Sequence, residues 1–292
     1  MTAATGAAVA PPRRPLRTVF ARRPLAVAGL AGAVAVVAVA VFGPLLAPVD
    51  PAALDYNHIM APPLTAHHLL GTDQLGRDVL SRTLYGGRTT LEAGVLSALL
   101  GAVVGLPIGV ISGYFRGPLD VAIMRLVDVM LAFPFLLLAV GLAAITKPSL
   151  WNAVFALGFS LVPGIARITR GATLAVRELE YVQAAFVNGE RDITIMRRHI
   201  LPNVLSPVVV QATVSIPISI VGAAILSFLG LGVQPPTADW GAMLAQAQEY
   251  LDQTIWPAVF PGIAIFLAAL FFNLLGDALR DALDPRARGV TR

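Results

Sequence analysis

From residue 25 to about residue 47 the chain carries no charged side chain. That is long enough for one helix to cross the hydrocarbon core of a bilayer. Comparable apolar runs recur at roughly 90–112, 121–145, 151–168, 204–231 and 255–275. Inside lipid no water is available to the backbone, so each such run must close its own hydrogen bonds as a helix. The sequence therefore predicts an all-α polytopic membrane protein with six transmembrane helices. Charged residues make up only 13% of the 292 positions and hydrophobic residues 57%, where a soluble domain carries about 25% charged. The organisation expected is a basic cytoplasmic tail over 1–24 and one membrane domain over 25–292. No cysteine is present, which excludes disulfides, thiol nucleophiles and Cys-ligated metals.

Arginines set the orientation. Arg13, Arg14, Arg17, Arg22 and Arg23 precede the first apolar run, which places the N-terminus in the cytoplasm by the positive-inside rule. A cleaved secretory signal is the competing reading, but its apolar stretch would be about 7–15 residues, shorter than this run. Alternation then puts 113–120, 169–203 and 276–292 inside as well. Those connections carry Arg116; Arg170, Arg177, Arg191, Arg197 and Arg198; and Arg280, Arg286, Arg288 and Arg292. Both termini are thus expected in the cytoplasm. The long outer connection 48–88 breaks the trend with Arg77, Arg82 and Arg88. Because the positive charge lies beside membrane segments, a net charge of +4 does not point to nucleic acid.

Gly101, Gly105, Gly109 and Gly113 recur every four residues on one face of the second span. Such a stripe allows backbone-to-backbone helix packing in lipid. Pro107 lies within it, and a hinge there is the alternative. Within the spans, Arg125 and Asp128 stand three apart on the third and read as a mutually neutralising pair. In the outer connection, Asp73, Arg77 and Asp78 read as helix-face ion pairs or as a contact for an external partner. His67 and His68 diverge as neighbours and have no Cys, Asp or Glu beside them at ligand spacing; a surface or interface pair is expected, and no metal site. Asn273 and Asp277 read as a helix-end feature. The phosphate loop Gly-x4-Gly-Lys-[Ser/Thr] is missing, since the sole lysine, Lys147, precedes Pro148. No nucleophile–base constellation is visible either, so no catalysis is expected of this chain.

One cytoplasmic segment stands out, residues 181–202. Val182, Ala185, Phe186 and Gly189 fall at i, i+3, i+4 and i+7, the apolar face of a short helix. Gly189 is placed to end it. A second amphipathic stretch has Ile193, Met196 and Ile200 on one side and Arg191, Arg197 and Arg198 on the other. Pro202 opens the next span. Three roles fit this pattern: a solvated loop, a helix on lipid headgroups, or a docking element.

The spacing Ala184-Ala185, Gly189, Leu201-Pro202 resembles the "EAA" loop of ABC-importer permeases. Gln183 stands where that loop usually has Glu, and His199 where Ile is common. The segment from His68 through Gly71-Thr-Asp73 and Gly76-Arg-Asp78 to Gly86 is similar to the dipeptide/oligopeptide/nickel branch of that family. The likeness continues through Phe133-Pro134, Ser227 to Pro236, Trp240-Gly241 and Asp277 to Arg286. It implies the type I ABC-importer permease fold in a bacterial inner membrane, as the second, C-type subunit of a peptide importer. It also implies a homologous second permease, two ATPase subunits that bind the ATP and Mg, and an external substrate-binding protein. Val182, Gln183, Ala184, Ala185, Phe186, Gly189, Asp192, Arg197, Arg198, Leu201 and Pro202 would form the ATPase-docking loop within 171–203. Nickel chelate, haem and glutathione remain open as cargo. An ion-coupled secondary carrier is the rival class; it predicts paired membrane carboxylates, or inverted repeats with broken helices, and neither is visible.

Overall fold

A computed structural model of the chain describes residues 24–65 and 67–283. The N-terminal arginine cluster and Arg286, Arg288 and Arg292 lie outside the described residues. The helices in order are α1 (Pro24–Leu46), α2 (Val79–Phe115), α3 (Gly117–Leu131), α4 (Phe135–Ala144), α5 (Leu150–Arg177), α6 (Glu180–Val187), α7 (Asp192–Ile195), α8 (Leu201–Phe228), α9 (Trp240–Gln248) and α10 (Trp256–Leu283). No strand occurs among the described residues. Five helical segments are long and apolar enough to cross a membrane, six if the bent pair α3–α4 counts as one.

That pair corrects the expectation of a single third span. α3 and α4 meet at 89°. Pro134 lacks an N–H and drives Phe133 out of the helical region, so the run is broken where Phe133-Pro134 stands. A broken helix is one mark expected of secondary carriers; here a local proline accounts for it. The second span is also longer than read from hydropathy. It starts at Val79 because Asp78 caps it, its carboxylate accepting from Ser81 N–H at 2.7 Å. Such a cap is worth about 1 kcal/mol.

α2 is the central post, and the glycine stripe is its seam with α5. A Cβ at Gly101, Gly105, Gly109 or Gly113 would lie 2.8, 2.9, 2.4 and 2.7 Å from the Cβ of Leu161, Ile165, Thr169 and Thr173. The partners also recur every four residues, so two matching ridges run in register. Gly94 makes the same approach to Ile220 on α8, and Gly29 and Gly32 to Leu274 and Phe271 on α10. Lipid provides no hydrophobic drive between helices, and close packing of this kind supplies the attraction.

The loop between α1 and α2 folds into a cap with its own polar core. Asp73 is 5% exposed; its carboxylate accepts from Leu75 and Arg77 N–H at 2.9 and 3.0 Å and from Arg77 Nε at 2.7 Å. Arg77 also donates to Gln246 of α9 at 2.7 Å. Arg82 is 1% exposed, with Nε 3.5 Å from Asp73 and Nη1 donating to Pro51 O. Two of the three arginines that spoil the positive-inside count are therefore buried beside a carboxylate. On the same side, Asp239 caps α9 through Ala242 N–H at 3.0 Å and accepts from Thr90 of α2 at 2.9 Å. Burial pushes the Asp239 carboxyl above the ordinary carboxylate range.

Candidate functional site

At the opposite end, α6, α7 and the wide π turn Met196–Ile200 form a hairpin leading straight into α8. α6 is stopped by a two-bond cap. Gly189 N–H donates to Phe186 O at 3.0 Å and Glu190 N–H to Ala185 O at 3.1 Å, with Gly189 at φ +72. This is the Schellman arrangement, which favours glycine at the positive-φ position. Glu180 in the first turn suits the helix dipole.

Val182, Ala185, Ile195, Ile200 and Val204 are buried against Val110 and Tyr114 of α2. Tyr114 ties both arms of the hairpin to the post. Its ring stacks on Phe186 with centroids 5.6 Å apart, and its hydroxyl donates to Asp192 at 2.6 Å. The Arg177 guanidinium lies over both rings, at 5.8 and 5.3 Å. Cation–π contacts of this kind contribute about 0.5–2 kcal/mol. Tyr114 was not legible as part of this site, because it comes from a helix distant in sequence; Arg177 lies within the expected 171–203 loop, three residues before α6, but its stacking on the two rings follows only from the fold.

These contacts sort the expected docking residues. Val182 and Ala185 face inward and hold the hairpin; Leu201 is half-buried. Gln183, Ala184, Val187, Gly189, Asp192, Arg197, Arg198 and Pro202 are exposed. Ile193, expected inward, is 56% exposed, and Ile195 is buried in its place. The helix restarts only at Asp192 and then widens into the π turn, which shifts the apolar phase. Gln183, the departure from the usual Glu, donates its amide to Arg177 O at the end of α5, 2.8 Å away. A carboxylate could not make that bond.

Ion pairs brace the junction. Asp120 on α3 accepts from Arg170 Nε and Nη2 of α5, both at 2.6 Å, and from Ser112 Oγ. Arg116 pairs with Glu178. Asp128 pairs with Arg167 rather than with Arg125, a correction decided by how α3 lies on α5. Arg170→Met would strand the Asp120 carboxylate, and we expect a loss of about 1–3 kcal/mol, smaller than for a fully buried pair. Asp120→Asn added to it should restore much of the loss, read as thermal stability in a double-mutant cycle.

The remaining expected residues fall elsewhere. Asp73, Arg77 and Asp78 are 5%, 5% and 1% exposed, so the loop's own core, and not an outer partner, occupies them. His67 is exposed but His68 is buried, with Nδ1 2.9 Å from Asp78 and Nε2 3.4 Å from Asp55. The two histidines therefore do not act as a pair: His67 faces out, while His68 meets carboxylates that lie 10 and 13 positions away in sequence. His58 stands 2.8 Å from the same Asp55 oxygen. Its hydrogen bond, followed by that of Asn57 N–H, holds the Asp55 carboxyl down to about 2. Any stabilisation from Asp55 is therefore present above the ordinary carboxylate value and lost as pH falls toward 2. Asn273 is no helix-end feature: α10 continues to Leu283, and Asn273 lines an apolar groove with Phe135, Pro217, Val221 and Ala269.

Residues 105–289 match the family model described as "Binding-protein-dependent transport system inner membrane component". Residues 15–63 match that of the "N-terminal TM domain of oligopeptide transport permease C". A glutathione transport system permease protein of Pectobacterium atrosepticum is 45% identical over 92% of this chain and 89% of its own length. A di/tripeptide transport system permease protein of Pseudomonas aeruginosa is 42% identical, over 93% and 91%. A chain of the MetNI methionine ABC transporter in inward-facing conformations superposes with a TM-score of 0.57 at 21% identity, covering 70% of this chain and 96% of that one. The last comparison establishes the fold alone.

Proposed function

The chain belongs to the family of binding-protein-dependent transport inner membrane components, in the dipeptide/oligopeptide C-type branch, and on that premise we propose that it carries short peptides, or a peptide-like solute such as glutathione, into the cell. It is a permease subunit of an ABC importer and a multi-pass protein of the bacterial inner membrane. In our reading it pairs with a homologous second permease, two ATPase subunits that bind ATP and Mg, and an external binding protein that selects the solute.

The observation that carries the docking assignment is the hairpin 180–200. It is clamped from within by Tyr114 and Arg177, yet presents Val187 at 87% exposure. Leu179, just before the hairpin, and Tyr181 and Ile193 within it are also exposed, and a run of apolar side chains on a capped hairpin suits a protein partner that buries them. Closure of the ATPases would press on α6. Tyr114 would pass the displacement to α2, and the near-continuous segment Asp192–Phe228 would pass it to α8. The groove around Asn273 then suits one half of the solute path: small, apolar and without a fixed charge that would hold cargo tightly.

The natural chain has no cysteine, so Val187→Cys introduces a unique thiol. In whole cells it should resist a membrane-impermeant maleimide, and in inverted vesicles it should react. In the assembled transporter it should cross-link to the ATPase subunit. Labelling from outside intact cells would overturn the docking assignment. Transport without any ATPase, driven by an ion gradient, would favour the secondary-carrier reading.

A further inference from the structure

We propose that Asp55, His58 and His68 form a three-ligand site for a divalent transition-metal ion of the zinc class, on the cap between α1 and α2. One nitrogen from each imidazole and one carboxylate oxygen lie within 4.8 Å of one another. The donor set, two histidines and one carboxylate, is one that zinc accepts, leaving a fourth position open.

The argument turns on the His68 ring. Asp78 spends Oδ2 on the Ser81 N–H that it caps, at 2.7 Å, and offers Oδ1 to His68 Nδ1 at 2.9 Å. A carboxylate that caps a helix is an acceptor, so Nδ1 carries the proton. The other ring nitrogen, Nε2, faces Asp55 Oδ2, 3.4 Å away. Two lone pairs facing each other repel unless positive charge stands between them, and only a proton on Nε2 or a cation can supply it. The separation itself suits a cation. Zinc–nitrogen and zinc–oxygen bonds of about 2.0–2.2 Å at tetrahedral angles place neighbouring donors about 3.4 Å apart.

The supporting shell is also built. Asp55 Oδ1 is held by Asn57 N–H at 2.9 Å, which leaves Oδ2 as the ligand. His68 is oriented by Asp78, the carboxylate–histidine arrangement that fixes tautomer and ring direction at metal sites. His58, 37% exposed at its side chain, gives the ion access from water and is free to adjust. Its Nδ1 now sits 2.8 Å from Asp55 Oδ2, so binding through Nδ1 would displace that hydrogen bond and leave the ring's proton on Nε2. Protons compete with the ion for the same ring nitrogens, so affinity should fall as the solution is acidified. The ion would join the 55–58 turn of the connection to His68, which Asp78, the cap of α2, holds in turn.

The test uses the full chain, purified with a histidine-free tag and stripped with chelator. Titration with Co2+ should develop the intense visible absorption of a tetrahedral site, and Zn2+ should abolish it stoichiometrically. His58→Ala, at a half-exposed ligand that leaves the Asp78 cap intact, should weaken Co2+ at least about tenfold. Asp78→Asn keeps an oxygen for the cap and should weaken binding about 10- to 100-fold. His67→Asn should bind as the parent does. Absence of the Co2+ band from the parent would overturn the site and leave His68 with a shared proton only. Equal affinity in parent and His58→Ala would overturn it as well.

Discussion

Replacing Val187 with Asp is expected to cut ATP-driven uptake by about a hundredfold, with thermal unfolding of the chain unchanged. Val187 is 87% exposed and makes no buried contact within the chain, so folding loses nothing when it changes. At a docked interface the same position would be central, and burying an unpaired carboxylate there would cost about 2–4 kcal/mol, the range of an interface hot spot. At about 1.4 kcal/mol per tenfold, that is near-complete uncoupling. ATPase co-purification and solute-stimulated hydrolysis should fall together. Val182→Asp should behave differently. Val182 is 0% exposed among Val110, Tyr114 and Val204, so it should unfold the hairpin and lower thermal stability. A Val187→Asp chain with full uptake would remove α6 as the docking element.

Gly109→Leu should be the most damaging single change in the bundle. Its Cβ would stand 2.4 Å from Thr169 Cβ and 2.5 Å from Ala166 O. The second contact is backbone, which no rotamer change relieves. α2 and α5 would have to separate, breaking register at Gly105 and Gly113 also. Overpacking ordinarily costs about 1–3 kcal/mol, and we expect the upper end for Gly109→Ala and failure to accumulate folded protein for Leu. Gly164→Ala and Gly171→Ala are the controls. Nothing lies within 4 Å of a Cβ at either, and alanine in a helix gains up to about 1 kcal/mol over glycine. Detergent-solubilised yield and thermal unfolding read both arms. Wild-type stability in Gly109→Ala would show that the seam is not close-packed.

The two outcomes differ in how visible they were beforehand. The glycine stripe announces a packing face because four glycines at a four-residue period have few other uses in lipid. Its partner ridge, Leu161 to Thr173, has no such mark. The break at Phe133-Pro134 was readable from the proline, yet hydropathy alone ran through it, since apolar content is the same on both sides of a bend. The hairpin shows the same division. A helix ending at Gly189 follows from one residue's tolerance of positive φ. Ile195 turning inward instead of Ile193 depends on where the helix restarts and on a π turn that no heptad-like count anticipates.

Local chemistry thus carried the apolar spans, the glycine-capped helix α6 and the small-residue seam, because chain-neighbour effects such as apolar period, proline and glycine act within a few positions. Pairings across the fold followed no such rule. Asp128 with Arg167 and Tyr114 with both Phe186 and Asp192 join residues brought together by helix packing, and His68 between Asp55 and Asp78 joins residues brought together by the folding of the α1–α2 connection. Charge and hydrogen-bond partners are chosen by distance in space, and distance is known only once the helices are in place.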